Sequence, residues 1–201
     1  MILKICGITN QKDASAAIDC GATAIGFNFY SASPRYVTPE RAADIQTAAG
    51  VRRVGVFVNE APARLEEIAR LARLDVAQLH GDESPEQAEA CPTEVWKAIR
   101  VGAEFRFEFY KDFPAEALLL DGPAGELYGG AGRVFDWEVA ASLERHIIVA
   151  GGLDGSNVKY AVELARPWGV DACSRIESAP GKKDHKKMSE FLLAAKAALG
   201  A

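Results

Sequence analysis

Short apolar runs of strand length alternate with helix-like segments along the whole chain, and eight such pairs fit into 201 residues. The runs are continuously apolar, as in parallel strands that are buried on both faces. Units of about 25 residues suit a minimal closed barrel, whereas an open doubly wound sheet has fewer strands and a GxGxxG turn after the first. The first turn here, Cys6-Gly7-Ile8-Thr9, lacks that pattern. We therefore expect an α/β fold, a single-domain (β/α)8 TIM barrel over residues 1–201.

Hydrophobic periodicity and turn residues predict the element bounds. The expected strands are Leu3 to Cys6, Ala24 to Phe29, Arg53 to Val58, Val76 to Leu79, Val95 to Ile99, Ala117 to Leu120, Ile147 to Ala150 and Val170 to Cys173. The expected helices are Asp13 to Cys20, Pro39 to Ala49, Pro62 to Arg73, Pro85 to Ala90, a weak one near Glu104 to Tyr110, Asp136 to Leu143, Ser156 to Ala165 and Asp184 to Leu199.

The composition is that of an ordinary globular protein, with 49% hydrophobic and 25% charged residues. A net charge of −5 argues against a nucleic-acid partner, since affinity for phosphate backbones comes from basic surfaces. The four cysteines have no CxxC spacing, which favours neither a zinc site nor disulfides and fits a reducing cytoplasm. No apolar run approaches the ~20 residues of a membrane span, so we expect an unprocessed cytoplasmic protein without a membrane partner.

In a barrel of this type the chemistry takes place at the carboxyl ends of the strands, and two reactive side chains stand there. Cys6 ends the first strand beside Gly7, and Asp121 follows Leu118-Leu119-Leu120 at the end of the sixth. A thiolate near positive charge is a nucleophile or base, and a carboxyl behind three leucines is partly desolvated and kept protonated. The alternatives are a small buried hydrophobe for Cys6 and a turn cap for Asp121.

Further polar residues gather at the same rim. Arg35 follows the second strand, His80 the fourth, and Asp171 lies at the end of the eighth. A guanidinium grips a carboxylate with two parallel hydrogen bonds, although a loop arginine is ordinarily solvated. His80 faces substrate or only makes a structural hydrogen bond, and Asp171 contacts substrate or positions its neighbours. The turns after the last two strands offer backbone N–H groups to a phosphate, with Gly151, Gly152, Ser174 and Arg175 as candidates.

The strand ends carry a series of motifs that resembles the phosphoribosylanthranilate isomerase family. In chain order they read KICGIT, GFNFYSASPRYV, GVFVN, QLHGDES, LLLDG, VAGGLDGSNV and VDACSRIES. The resemblance runs from Leu3 to about Asp184 and reaches every strand end. One departure touches the presumed phosphate site, because Ser174-Arg175 stands where the family usually has Ser-Gly.

The resemblance implies an Amadori rearrangement of N-(5-phosphoribosyl)anthranilate to 1-(2-carboxyphenylamino)-1-deoxyribulose 5-phosphate, in tryptophan biosynthesis. It implies no metal or organic cofactor, and a monomer or a homodimer. It assigns Asp121 as the acid and Cys6 as the base, with Arg35 at the anthranilate carboxylate. Because long glycine-containing loops are typical lids, we also expect the stretch from Gly122 to Gly132 to close over substrate.

Two other functions remain open for the same fold. One is another phosphosugar enzyme, such as indole-3-glycerol-phosphate synthase or a pentose-phosphate epimerase. Lys4 and Lys97 lie within strands rather than at the synthase's strand ends, and the three histidines do not match the epimerase's metal ligands. The other is a non-catalytic barrel that binds a phosphoribosyl ligand. The cluster Lys182, Lys183, Lys186 and Lys187 is expected to be a solvated helix face rather than a phosphate clamp.

Overall fold

A closed barrel of eight parallel strands forms the centre of the computed structural model, which describes residues 1–102, 105–122, 137–141 and 143–200. Neighbouring strands pair in sequence order, and the first strand closes the barrel against the eighth. The predicted fold class is therefore confirmed. Apart from Gly122, the expected lid from Gly122 to Gly132 lies outside the described residues.

The barrel strands are β1 (Ile2–Ile5), β2 (Ala24–Asn28), β3 (Arg52–Phe57), β4 (Val76–Leu79), β5 (Glu94–Arg100), β6 (Ala117–Asp121), β7 (His146–Val149) and β8 (Gly169–Ala172). The helices are α1 (Gln11–Asp19), α2 (Pro39–Asp44), α3 (Pro62–Leu71), α4 (Pro85–Glu89), α5 (Glu138–Ala141), α6 (Val158–Ala165) and α7 (His185–Leu199). Within the described ranges, no helix has the length and apolar character needed to cross a membrane.

All eight expected strands are present, each with bounds within two residues of the prediction. The helices agree less closely. α2 stops at Asp44 rather than Ala49, and the weak helix near Glu104 to Tyr110 is only a 3₁₀ turn, Phe107–Phe109, in its described part. A hairpin of two short strands, β9 (Glu177–Ala179) and β10 (Lys182–Lys183), was not predicted at all. It packs beyond the end of β8, ahead of α7.

A buried arginine explains the early end of α2. Arg53, on the outer face of β3, donates to the carbonyl oxygens of Ala42 and Ile45 at the end of α2 and of Ala72 at the end of α3. Carbonyl groups in the last turn of a helix have no intrahelical partner, so a guanidinium that binds them stabilises the end there. The sequence pattern beyond Asp44 is helical, but this tertiary contact overrides it.

Side chains alternate between two apolar layers, as expected for strands with a repeat of two residues. The outer layer lies between the strands and the helices and forms the larger cluster. The inner layer fills the barrel around fully buried Trp96. Its members are Ile2, Ala24, Val54, Val76, Trp96, Ala98, Ala117, Leu119, Ile148 and Ala150. This plug occupies the interior toward the amino ends of the strands, below the level of Cys6 and Asp121.

We predict that Gly55→Ala lowers the free energy of unfolding by about 1–3 kcal/mol through overpacking. A Cβ atom at this position of β3 would collide with Leu74 and lie 2.8 Å from Phe57 Cε2, between side chains of the outer layer. Gly102→Ala is the matched control, because its Cβ would meet no described residue within 4 Å. Urea unfolding measures both. Equal stability losses in the two variants would contradict the packing argument.

Candidate active site

The repeat of two residues brings the reactive side chains to the mouth of the barrel. Cys6 is the third inward position after Ile2 and Lys4, and Asp121 is the third after Ala117 and Leu119. His80 stands in the same relation to Val76 and Gln78 of β4. These side chains therefore lie one level above the apolar plug, on different strands of one closed ring.

A buried ion pair forms the floor of this site. Lys4 Nζ donates to Asp171 Oδ2 at 2.9 Å, across the seam where β1 pairs with β8. Lys4 is 0% exposed. Burial, together with the charges of Cys6 and Asp121, raises the pKa of Asp171 to about 7, although Lys4 acts to lower it. Asp171 Oδ1 has no hydrogen-bond partner among the described residues, so one acceptor on this floor remains for a ligand.

Cys6 faces a second thiol, that of Cys173. A hydrogen bond between the two side chains, followed by burial, raises the pKa of Cys6 despite the nearby Lys4 ammonium. The same hydrogen bond lowers the pKa of Cys173 to about 7, because Lys183 and Arg35 outweigh the effect of burial there. Within this pair the shifts run in opposite directions, upward for Cys6 and downward for Cys173, and the assignment of Cys6 as the base stays a prediction.

Asp121 is buried, 7% exposed, and lies beside His80. The amide nitrogen of Gln78 is 3.1 Å from His80 Nδ1. His80 Nδ1 accepts from this amide group, and His80 Nε2 is 3.4 Å from Asp121 Oδ2 without the alignment of a hydrogen bond. The sequence predicted that His80 contacts substrate or makes a structural hydrogen bond. The structure places the His80 side chain against Asp121, the candidate acid, and beside Gln78.

Gly151 lies against Asp121 from the neighbouring loop. It has φ +80°, and a Cβ atom there would collide with the Gly122 backbone and come within 2.8 Å of Asp121 Oδ1. Both the backbone conformation and the lack of space require glycine. Glycine at position 151 therefore leaves room for the Asp121 carboxyl. The sequence also predicted Gly151 as part of the phosphate-binding loop.

Arg35 reaches the site from the loop after β2 and is already paired. Its Nε and Nη2 groups donate to the carboxylate of Glu177, the shortest distance being 2.7 Å. Lys183 Nζ donates to the other side of this carboxylate at 2.9 Å and lies 3.9 Å from Cys173 Sγ. The prediction of a solvated Lys183 is wrong, because the hairpin β9–β10 buries it, whereas Lys182, Lys186 and Lys187 are exposed.

The loops after β7 and β8 meet through an ion pair. Arg175 Nε donates to Asp154 Oδ2 at 2.7 Å along the rim, and the Arg175 side chain is half-exposed. Arg175 lies in a 3₁₀ turn, Ser174–Ile176, without a positive φ, whereas Gly152 has φ +66°. The first residues of such a turn leave their N–H groups without intrahelical partners. The arrangement thus leaves amides of Ser174 and Arg175 for an anion while holding the guanidinium aside.

Sequence reasoning missed four residues of the site: Lys4, Cys173, Glu177 and Lys183. Lys4 lies two positions before Cys6 along the first strand, and Cys173 lies two positions after Asp171 along the eighth. Counting inward positions by twos would have found both. Glu177 and Lys183 carried no such signal, since their burial depends on the unpredicted hairpin. Lys97, on the outer face of β5, is bound to Glu83 at 2.8 Å and to the Gly81 carbonyl, and so holds the loop after β4.

A closed parallel barrel with paired thiols, carboxyls and an imidazole at its carboxyl-end mouth is a (β/α)8-barrel enzyme site built for proton transfer. Residues 3–194 match the family model of N-(5'-phosphoribosyl)anthranilate (PRA) isomerase. The chain belongs to this family.

Known proteins of this family are similar to the chain along nearly its full length. The N-(5'-phosphoribosyl)anthranilate isomerase of Solibacter usitatus is 71% identical over 201 residues and 100% of both chains. The crystal structure of phosphoribosyl anthranilate isomerase from Thermotoga maritima superposes with a TM-score of 0.91 at 38% identity, covering 98% of this chain and 100% of that one. A further structure of the enzyme, in complex with reduced 1-(o-carboxyphenylamino)-1-deoxyribulose 5-phosphate, has a TM-score of 0.88 at 37% identity with the same coverage.

We predict that Gly151→Ala lowers kcat at least about tenfold, because the added methyl displaces Asp121. Gly21→Ala is the matched control. Its φ is +97°, so alanine suffers a similar backbone penalty of about 1–2 kcal/mol, but nothing lies within 4 Å of the added atom. Steady-state kinetics and thermal unfolding separate the two effects. A similar loss of kcat in both variants would show that backbone strain, and not the contact with Asp121, is responsible.

Proposed function

We propose that this chain catalyses the isomerisation of N-(5-phosphoribosyl)anthranilate, with Asp121 as general acid and Cys6 as general base. The observation that supports it most is the placement of a thiol and a carboxyl on separate strands of one mouth, both close enough to Asp171 to raise its pKa. An isomerase of this kind must give a proton to one atom of the sugar and take a proton from the next carbon. Two groups in different protonation states meet that requirement.

The proposed reaction begins at the ribose ring. Asp121 gives its proton to the ring oxygen, the bond between that oxygen and C1 breaks, and the anilino nitrogen forms an imine with C1. The Cys6 thiolate then takes the proton from C2, the electrons of that C–H bond form the C1–C2 double bond of an enolamine, and the electrons of the C1–N double bond return to the nitrogen. Tautomerisation of the C2 hydroxyl to a ketone, with a proton delivered to C1, completes the product. His80, 3.4 Å from Asp121, is placed to return the acid's proton.

Asp171 and Arg35 are the proposed contacts at the two sides of the reacting carbons. Asp171 Oδ1, buried and without a described partner, offers an acceptor to a ribose hydroxyl. Glu177 occupies only the edge of Arg35 formed by Nε and Nη2. Among the described residues Nη1 has no hydrogen bond, so the remaining edge is proposed to bind the anthranilate carboxylate in the end-on geometry that guanidinium groups use for such anions. Glu177 therefore orients Arg35 rather than competing for all of its donors.

The proposed phosphate site consists of Gly151, Gly152, Ser174 and Arg175. Two turns that end adjacent strands supply backbone N–H groups here, a common arrangement after strands seven and eight of such barrels. The Arg175 side chain adds only a screened charge, since its Nε is bound to Asp154 on the rim.

We predict that Cys6→Ala and Asp121→Asn each lower kcat at least about 10²-fold, because each change removes a proton-transfer group. Consumption of the fluorescent substrate measures turnover, and circular dichroism checks the fold. Cys20→Ala is the control, since Cys20 caps α1 away from the mouth. Normal turnover in either site variant, with an unchanged spectrum, would overturn the assignment.

We predict that Arg35→Ala raises KM at least about tenfold while kcat changes much less, through loss of carboxylate recognition. Arg35→Lys keeps the charge but lacks the planar fork, and should recover only part of the affinity. The same assay determines both constants. A fall in kcat at constant KM would reassign Arg35 to stabilisation of the transition state.

A further inference from the structure

The Glu177 carboxylate is bound on both of its oxygens by groups of the chain itself. Arg35 donates through Nε and Nη2, and the shortest distance is 2.7 Å, to Oε2. On Oε1, Lys183 Nζ donates at 2.9 Å and the Gly181 backbone N–H at 3.2 Å. The side chains of Glu177 and Lys183 are 4% and 0% exposed. These hydrogen bonds satisfy the carboxylate, and water has little access to screen the charges.

The hairpin β9–β10 is held in place independently of this carboxylate. The Thr9 hydroxyl donates to the Gly181 carbonyl at the tip of the hairpin at 2.6 Å. The Lys183 backbone N–H donates to Asp13 Oδ2 at 2.9 Å, and Asp13 Oδ1 lies 2.8 Å from His185 Nε2. Asp13 therefore binds the hairpin through its backbone, whereas the Lys183 ammonium binds inside the mouth.

The three charged side chains in direct contact leave one positive charge unbalanced. Arg35 and Lys183 are cations, and Glu177 between them is the single anion. Without the Lys183 charge, Arg35 and Glu177 would form a neutral pair with little attraction for a further anion. Because the group is buried, the unbalanced charge acts strongly on a nearby ligand. Cys173, whose Sγ lies 3.9 Å from Lys183 Nζ, would cancel this charge as a thiolate but not as a thiol.

We propose that Lys183 is a positioning residue that determines specificity for a carboxylate on the substrate. By neutralising Glu177, it leaves Arg35 with a full positive charge, and the carboxylate completes an alternating network of two cations and two anions. This rests on the proposed placement of the anthranilate carboxylate at Arg35. Lys183 acts through Glu177 and Arg35, since its ammonium lies on the opposite side of the Glu177 carboxylate from the guanidinium.

A matched pair of ligands isolates the effect of the carboxylate. One is reduced 1-(o-carboxyphenylamino)-1-deoxyribulose 5-phosphate, and the other is the same compound without the carboxyl group. Calorimetric titration at about pH 6, where the Cys173 thiol with its pKa of about 7 is mostly neutral, gives the ratio of their dissociation constants. Lys183→Met should lower this carboxylate preference at least about tenfold. Lys182→Met is the control and should leave it unchanged, because Lys182 is exposed on the same strand.

A double variant separates charge from packing. Glu177→Gln combined with Lys183→Met removes one anion and one cation, so Arg35 again carries an unbalanced positive charge. The carboxylate preference should then rise at least about threefold above that of Lys183→Met alone. If Lys183 only packs the hairpin, the second substitution adds damage and restores nothing. Should Lys183→Met fail to fold by circular dichroism, Lys183→Gln keeps a hydrogen-bond donor without the charge and should show the same loss.

The outcomes distinguish this inference from the function on which it rests. An unchanged carboxylate preference in the neutral Lys183 variants, or a double variant no better than Lys183→Met, would overturn the role of Lys183. Arg35→Ala should abolish the preference. If it does not, the proposed placement of the substrate carboxylate at Arg35 fails instead.

Discussion

The site depends on the ion pair between Lys4 and Asp171, which joins the first and last strands at the seam of the barrel. Two charges without water are costly, and they are retained only where each satisfies the other and further partners. Lys4 also faces Cys6, and Asp171 also faces Asp121. The same pair therefore closes the barrel electrostatically and sets the charge environment of the groups proposed to move protons.

Above this floor, alternating charges extend toward one side of the mouth. Lys183 and Arg35 flank the Glu177 carboxylate, and both cations also face Cys173. Asp13 at the start of α1 accepts from the Lys183 backbone N–H and faces His185, so the hairpin is anchored to a helix as well as to the mouth. The hairpin β9–β10 thus contributes a cation and an anion at fixed positions. Its short strands matter for electrostatics more than for the core.

On the opposite side, glycines and structural ion pairs govern the shape of the mouth. Gly151 lets the loop after β7 approach Asp121, and Glu83 accepts from Lys97 and from the backbone N–H groups of Asn59 and Gly81. These contacts order the loops after β3 and β4 without using the residues proposed for chemistry. Rigid placement of this kind is what proton transfer requires, since small displacements of the reacting groups are costly.

The sequence by itself determined the fold, and it predicted Cys6 and Asp121 as the reacting pair. Eight apolar runs with intervening helices admit one closed arrangement, and that arrangement puts every strand end at a single rim. Local pattern also placed each strand to within two residues. What only the tertiary structure decided is the charge on each group. Whether Cys6 or Cys173 is the more acidic thiol, and whether Lys183 is solvated or buried, depends on cations and carboxylates far apart in the chain. The length of α2 likewise depended on Arg53 of β3, whose side chain binds carbonyl groups at the ends of α2 and α3. Electrostatic energies follow distance and burial in space, and neither can be read from neighbouring residues in the sequence.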